Sequence, residues 1–135
     1  MLSKIIPGST FTVNSLLKKV NIKDDQVVDW LSGGCMLFEK SLLDKIGKMD
    51  EDYFLGVEDI DFCYRAKKAG MKTLYVPSKK VLHYHGYSSG GTRSTKRIEM
   101  DRDGIDTFLK KHFPEKKIAR AVIRFLHNLK IRMLL

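Results

Sequence analysis

Residues 49–70, MDEDYFLGVEDIDFCYRAKKAG, constrain the fold of this chain more than any other stretch. Two adjacent carboxylates, Glu58 and Asp59, stand before apolar residues that recur at helical spacing, and Gly70 is suited to end a helix. The pattern predicts an amphipathic helix that begins at the acidic pair. Helix capping alone explains such a pair, since acidic residues in a first turn complement the exposed N–H groups. Further chemistry has to be argued from the residues around it.

Strand and helix patterns alternate on both sides of this predicted helix. Apolar runs bounded by glycine or proline predict strands at residues 27–31, 35–38, 72–76 and 81–85. Helical spacing predicts helices at residues 42–46, capped by Ser41 or Glu39 and ended by Gly47, and at residues 98–113, with a break near Gly104. The expected fold class is therefore α/β.

The charge of the chain points to an anionic partner. Its 25 Lys and Arg against 16 Asp and Glu give a formal net charge of +9, and 43% hydrophobic content suffices for one domain with a core. A phosphorylated substrate, nucleic acid and an acidic membrane surface all fit this charge. No aromatic-rich basic strand or recognition-helix pattern is present, so nucleic acid is not expected as a partner.

Residues 115–135 form a separate region in the expected domain organisation. Apolar residues at helical spacing form one stripe, and basic residues lie away from it, which predicts a basic amphipathic helix. Charges interrupt the stripe too often for a bilayer span. Two alternatives stay open: the helix lies on an acidic membrane surface, or it packs on the rest of the protein.

Three other patterns bear on metals and redox state. Cys35 and Cys63 lack CxxC spacing, and no signal-peptide pattern is present, so buried free thiols in a reducing compartment are expected. A zinc site that joins them to His83 and His85 is disfavoured because Cys35 has no paired ligand nearby. A calcium loop starting at Asp50 fails because its sixth position is not glycine.

The order of motifs along the chain resembles a known family. The series DWLSGGCMLF, IGKMDEDYFLGVEDIDFCYRAKKAG and LYVPSKKVLHYHGYSS is similar to the carboxyl-terminal half of family 2 glycosyltransferases, the rhamnosyltransferase-like members in particular. The resemblance covers about residues 27–89. It implies that residues 1–114 form the acceptor-side half of a GT-A, Rossmann-like glycosyltransferase domain, followed by the amphipathic helix.

The resemblance also implies a reaction and its residues. Such enzymes transfer a sugar from a nucleotide-sugar donor to a glycan or lipid-linked acceptor with inversion, in cell-wall or polysaccharide biosynthesis, with Mg²⁺ or Mn²⁺. By resemblance Asp59 is the base that removes the acceptor proton, and Glu58 beside it positions the acceptor or holds local charge. His83 is implied as a metal ligand. An ion pair from Asp61 to Arg65, at i and i+4, is expected to steady the helix.

The remaining implied site residues contact the two substrates. Trp30, Gly33 and Gly34 are expected along the donor-sugar and acceptor cleft. The implied contacts to the donor diphosphate are Arg93, Lys96 and Arg97, in or next to a loop rich in Gly, Ser and Thr.

The chain departs from the family in one respect. Members carry, before this region, a nucleotide-binding half with an Asp-x-Asp-type motif, and the residues upstream of the predicted strand at 27–31 show none. The expectation is a truncated or split enzyme with little or no activity alone, a partner chain supplying the donor half, and a cytoplasmic location at the inner face of the cell membrane. A non-catalytic interaction or scaffold protein derived from a transferase is the alternative.

Overall fold

The structure is a computed structural model that describes residues 23–78, 80–82 and 95–133. Within these ranges the elements are β1 (Gln26–Val28), α1 (Lys40–Ile46), α2 (Glu58–Lys68), β2 (Thr73–Tyr75), α3 (Thr95–His112) and α4 (Lys117–Arg132). The described residues fall into two compact units. Residues 23–49 and 59–82 form the first unit, and residues 50–58 and 95–133 form the second.

The two strands form a small antiparallel sheet in the first unit. Gln26 lies opposite Tyr75, and Val28 lies opposite Thr73. The strands predicted at residues 27–31 and 72–76 are therefore present but shorter than expected. Mixed helices and strands agree with the predicted α/β class at this coarse level.

The strand predicted at residues 35–38 is wrong. These residues are not in a strand, and no strand among the described residues pairs with them. Leu37 is fully exposed, and Cys35 is exposed rather than buried as predicted, whereas Cys63 is buried. Phe38 packs its ring on Phe62 of α2, with centroids 5.0 Å apart, so this short apolar run contacts a helix instead of a sheet. Most of the strand predicted at residues 81–85 lies outside the described residues.

Helices α1 and α2 form the apolar core of the first unit. Leu42 from α1 packs with Phe62 and Ala66 from α2, and Leu43, Ile46 and Met71 surround them. As predicted, α1 ends at Gly47, which has a φ of 78° and donates its N–H to the Leu43 carbonyl at 2.8 Å. Glu39 takes the N-cap position of α1 but makes no side-chain capping bond.

The guanidinium group of Arg65 in α2 forms hydrogen bonds to the backbone at the end of α1. Its Nε donates to Asp61 Oδ2 at 2.6 Å, which confirms the predicted i to i+4 ion pair. Its two terminal nitrogens donate to the carbonyl oxygens of Ile46 and, at 3.0 Å, of Lys48. Arg65 therefore satisfies carbonyls at the end of α1, where the helix offers no N–H donor of its own.

In the second unit, residues 50–58 pack along α3. Lys111 of α3 contacts Asp50 and Asp52 at 2.5 and 2.6 Å, and its ammonium lies 5.3 Å from the centre of the buried Tyr53 ring. Val57, which is 2% exposed, packs against Gly104 in the middle of α3.

The predicted break of α3 at Gly104 is wrong, since the helix is continuous from Thr95 to His112. A Cβ at position 104 would lie 2.7 Å from Val57 Cγ2, closer than real Cβ contacts. The glycine accommodates Val57 against the helix and does not interrupt it.

Helix α4 packs on α3 through one face. Ile123 and His127 are buried, and polar contacts reinforce the pair: Arg120 to Asp106 at 2.9 Å and Arg102 to Asn128 at 3.0 Å. The apolar stripe predicted from the sequence is a different face of α4, and it is exposed. None of the helices that the structure describes is long and apolar enough to cross a membrane.

Candidate functional site

Asp59 lies near the start of α2, and its carboxylate is held by two backbone N–H groups. Oδ2 accepts from Gly33 at 3.0 Å and Oδ1 from Ile60 at 2.7 Å, and the residue is only 6% exposed. Gly33 is 26 positions away in sequence, so this bond joins the glycine turn after β1 to the helix start. The two N–H donors fix the orientation of the carboxylate, as a positioned base requires.

The glycine at position 33 is not required by the space around Asp59. A Cβ built at Gly33 would lie 3.8 Å from the Cβ of Asp59, which is ordinary van der Waals contact. What Gly33 contributes here is its backbone N–H. Trp30, partly exposed at 37%, and the exposed Gly34 belong to the same unit as Asp59. Of the three predicted cleft residues, Gly33 contacts Asp59 directly through its N–H.

Glu58 has different partners from its neighbour. Its Oε2 accepts the N–H of Val57 at 2.9 Å and that of Gly56, so the carboxylate holds the turn immediately before α2. These donors precede the helix, so the bonds differ from the capping of first-turn N–H groups that the sequence offered as the simpler explanation of the acidic pair. One of the boundaries between the two units along the chain falls between Glu58 and Asp59.

Arg97 is engaged within the second unit. Its Nε lies 3.0 Å from Asp101 Oδ1, and its Nη2 would be 2.6 Å from a Cβ added at Gly56, so the guanidinium lies against the Gly56 turn. Gly56 has a φ of 97°, a conformation that suits glycine. Burial raises the pKa of Asp101, and the nearby charges of Arg97 and His127 oppose that increase.

Lys96 lines an open groove of about 330 Å³ in the second unit. The lining residues are Asp52, Phe54, Lys96, Glu99, Met100, Asp103, Gly104 and Thr107. Three carboxylates and one ammonium group make this groove a poor match for a diphosphate, because like charges repel. The other two predicted diphosphate contacts are Arg97 and Arg93. Arg97 forms an ion pair with Asp101, and Arg93 lies outside the described residues.

The described residues hold no group of three His, Cys, Asp or Glu side chains that could bind a metal. His83 and His85 lie outside the described ranges.

Two sets of contacts in the site region were not predicted from the sequence. They are the Gly33–Asp59 hydrogen bond and the hydrogen bonds from Arg65 to the carbonyl oxygens at the end of α1. For Arg65, the i to i+4 spacing to Asp61 was the available signal.

Comparison with known families identifies the class of protein. The family described as "Glycosyltransferase like family 2" matches residues 15–101, more than half of the chain. The chain belongs to this family. The match extends on both sides of residues 27–89, where the motif resemblance lies.

Individual relatives are rhamnosyl- and hexosyltransferases. The chain is 44% identical over 66 residues to N-acetylglucosaminyl-diphospho-decaprenol L-rhamnosyltransferase of Mycobacterium tuberculosis (strain ATCC 25618 / H37Rv), covering 49% of this chain and 22% of that protein. It is 36% identical over 85 residues to rhamnosyltransferase WbbL of Escherichia coli (strain K12), covering 62% and 32%. It is 39% identical over 63 residues to low-salt glycan biosynthesis hexosyltransferase Agl10 of Haloferax volcanii, covering 45% and 20%.

The chain thus spans between 20% and 32% of the length of these relatives. No solved structure matches it.

Proposed function

We propose that this chain forms the acceptor side of a GT-A glycosyltransferase that transfers a rhamnose-type sugar, with inversion, from a nucleotide-sugar donor to a glycan or lipid-linked acceptor. The observation that carries the proposal is the buried Asp59 carboxylate, held by N–H groups from Gly33 and Ile60. Family membership and the activities named for the relatives support the reaction class.

In the proposed step, the acceptor hydroxyl oxygen attacks the anomeric carbon from the face opposite the nucleoside diphosphate. Asp59 takes the hydroxyl proton as the new C–O bond forms, and the bond to the diphosphate breaks with its electron pair leaving on the diphosphate. Each carboxylate oxygen has two lone-pair sites, so an oxygen that accepts one N–H can also accept a hydrogen bond from the acceptor hydroxyl. Glu58 acts as a positioning residue that keeps the turn before α2 in shape.

The donor side is proposed to come from polypeptide beyond this chain, in line with the share of its relatives that the chain spans. His83 would then hold Mg²⁺ or Mn²⁺, which supplies charge stabilisation to the leaving diphosphate when bound. Arg93 and Arg97 would contact the same diphosphate, whereas Lys96 is left out of this proposal because its groove carries three carboxylates. With a lipid-linked acceptor, the proposed location of the reaction is the inner face of the cell membrane, on the cytoplasmic side. Alone, the chain is expected to have little or no activity.

A chimera tests the assignment of Asp59. Residues 15–101 of this chain would replace the matching segment of rhamnosyltransferase WbbL, and release of nucleoside diphosphate would be measured with donor and acceptor present. An active chimera should lose about 10²- to 10⁴-fold in rate on Asp59→Asn, the usual contribution of a general base. The matched control is Asp44→Asn, which removes an exposed carboxylate from α1 of the same unit. Full activity of the folded Asp59→Asn chimera would overturn the proposal.

A non-catalytic interaction protein is the second candidate, and the same hydrogen bonds favour it, since a carboxylate that joins Gly33 to α2 also has structural value. Unfolding measurements on the chimera distinguish a structural role of Asp59 from a catalytic one. A structural Asp59 predicts that the loss of activity in Asp59→Asn follows a loss of stability. A catalytic Asp59 predicts a rate loss at nearly unchanged stability. Turnover of a nucleotide sugar by this chain alone would contradict the proposed need for a separate donor side.

A further inference from the structure

Helix α4 exposes an apolar face that its packing on α3 does not use. Its members are between 45% and 82% exposed: Ile118, Val122, Phe125, Leu126, Leu129 and Met133. We call this set the outer face of α4. At roughly 100° per residue, these six positions share an arc of about 100°. The buried Ile123 and His127 lie about 110° and about 150° from the centre of that arc, by the same geometry.

The charges on α4 are all of one sign. From Lys116 to Met133 the sequence contains no acidic residue, and the basic ones are Lys116, Lys117, Arg120, Arg124, Lys130 and Arg132. Arg120 and Arg124 are directed towards Asp106 of α3, at 2.9 and 3.9 Å. By helical position, Lys117 and Arg132 lie on one side of the outer face and Lys130 on the other. All three are exposed.

We propose that the outer face of α4 docks on an anionic phospholipid surface, with the helix axis parallel to the bilayer. The apolar side chains would enter the boundary between headgroups and acyl chains, while the flanking Lys and Arg side chains reach the lipid phosphates. A second copy of the chain fits less well, because pairing two such faces would bring basic residues together with no acidic residue on either helix. The proposal does not rest on the sugar-transfer reaction.

Vesicle binding of the full chain tests the apolar part of this proposal. Co-sedimentation would be measured with vesicles of phosphatidylcholine containing phosphatidylglycerol at about 30%, and with phosphatidylcholine alone, where the anionic vesicles should bind more tightly. The double variant Phe125→Ser/Leu129→Ser should bind the anionic vesicles at least about tenfold more weakly, because apolar insertion drives interfacial binding. Both residues are exposed, so circular dichroism should show the fold intact. The control is Leu37→Ser, a fully exposed leucine outside α4, which should bind like the parent.

A second pair of variants tests whether the position of the charges matters. Lys117→Gln/Arg132→Gln removes two exposed charges beside the outer face, and Lys40→Gln/Lys45→Gln removes two exposed charges from α1. The first pair should weaken anionic vesicle binding several-fold more than the second. Equal losses in the two pairs would overturn the proposal, as would unchanged binding of Phe125→Ser/Leu129→Ser. Dimerisation without vesicles that this apolar variant abolishes would also overturn it, in favour of a self-association surface.

Discussion

Glu58 and Asp59 are adjacent residues whose carboxylates accept hydrogen bonds from different parts of the chain. Glu58 binds the backbone N–H groups of Gly56 and Val57, its immediate predecessors. Asp59 accepts an N–H from Gly33, which lies 26 positions earlier in the sequence. The two side chains thus have separate roles even though their residue types are nearly the same. The long-range contact is the reason for assigning the proposed chemistry to Asp59.

At the scale of single residues, the fit of Val57 against Gly104 is the most sharply testable contact. Gly104→Ala places a methyl group 2.7 Å from Val57 Cγ2. Overpacking of this kind costs roughly 1–3 kcal/mol, and the better helix propensity of alanine returns up to about 1 kcal/mol. We expect a net loss of about 1–2 kcal/mol in the free energy of unfolding, measured by urea denaturation.

A double-mutant cycle provides the control for that contact. Val57→Ala alone should cost about 2 kcal/mol through the cavity it leaves. In Gly104→Ala/Val57→Ala the new methyl group enters that space, so the double variant should be less destabilised than the sum of the singles by about 1 kcal/mol or more. Strict additivity would show that the two side chains do not compete for the same volume.

At the scale of elements, Arg65 stabilises the pairing of α1 and α2. Asp61 is 1% exposed, so replacing Arg65 removes a donor from a buried carboxylate and donors from two carbonyl oxygens. Arg65→Met should lower the free energy of unfolding by about 2–3 kcal/mol. Lys67→Met is the matched variant, since it removes an exposed ion pair to Asp29 from the same helix, and it should leave the Tm nearly unchanged. Similar Tm losses in the two variants would contradict the role of Arg65.

The α3–α4 contact makes stability depend on pH through Asp106. Burial alone would raise the pKa of Asp106, but hydrogen bonds from Arg120 and Lys110 outweigh burial and lower it. A carboxyl group with a lowered pKa in the folded state stabilises that state above its unfolded pKa of about 4, and the stabilisation is lost as pH falls further.

Unfolding of Asp106→Asn across the acid range checks this sign. The parent should be more stable than the variant at about pH 6, and the difference should shrink progressively below about pH 4. Asp44→Asn, which removes an exposed carboxylate from α1, serves as the comparison. A difference between the parent and Asp106→Asn that grows as pH falls would contradict the assigned direction.

The helices were predicted better than the strands, for a physical reason that two elements illustrate. The helix at residues 58–68 carries its own signals, a capping acid and a terminal glycine, and these are local in sequence. The apolar run at residues 35–38 has no comparable signal, because whether it forms a strand depends on a partner elsewhere in the chain. Its Phe38 instead contacts Phe62. The helix break predicted at Gly104 was wrong for a related reason. Val57, which packs against this glycine, is 47 positions away in sequence.

At the scale of the whole molecule, the net charge of +9 and the apolar outer face of α4 predict different binding behaviour. Charge acts over a distance and attracts any polyanion, whereas the apolar face acts only on contact. On a heparin column, Phe125→Ser/Leu129→Ser should therefore elute at the same salt concentration as the parent. Lys117→Gln/Arg132→Gln and Lys40→Gln/Lys45→Gln should both elute earlier. Earlier elution of the apolar variant would mean that it alters more than the outer face.

The family was predictable from the sequence, whereas the contacts of the candidate site were not. Motif order along residues 27–89 resembled the family that the match over residues 15–101 then showed. The hydrogen bond between Gly33 and Asp59 could not be read from spacing, because it depends on how the turn after β1 meets α2. The role of Asp59 as a base remains a prediction for the chimera to test.

The close approach of Val57 to Gly104 has a consequence for how sequences of this family can vary. A side chain at position 104 has to occupy volume that Val57 already fills, so the two positions cannot change independently. Homologues with alanine or serine at the position of Gly104 should carry a smaller residue at the position of Val57, and those with a larger residue at 57 should retain glycine at 104. An alignment of homologues would then show these two positions as a covarying pair, although one lies in the turn before α2 and the other in the middle of α3.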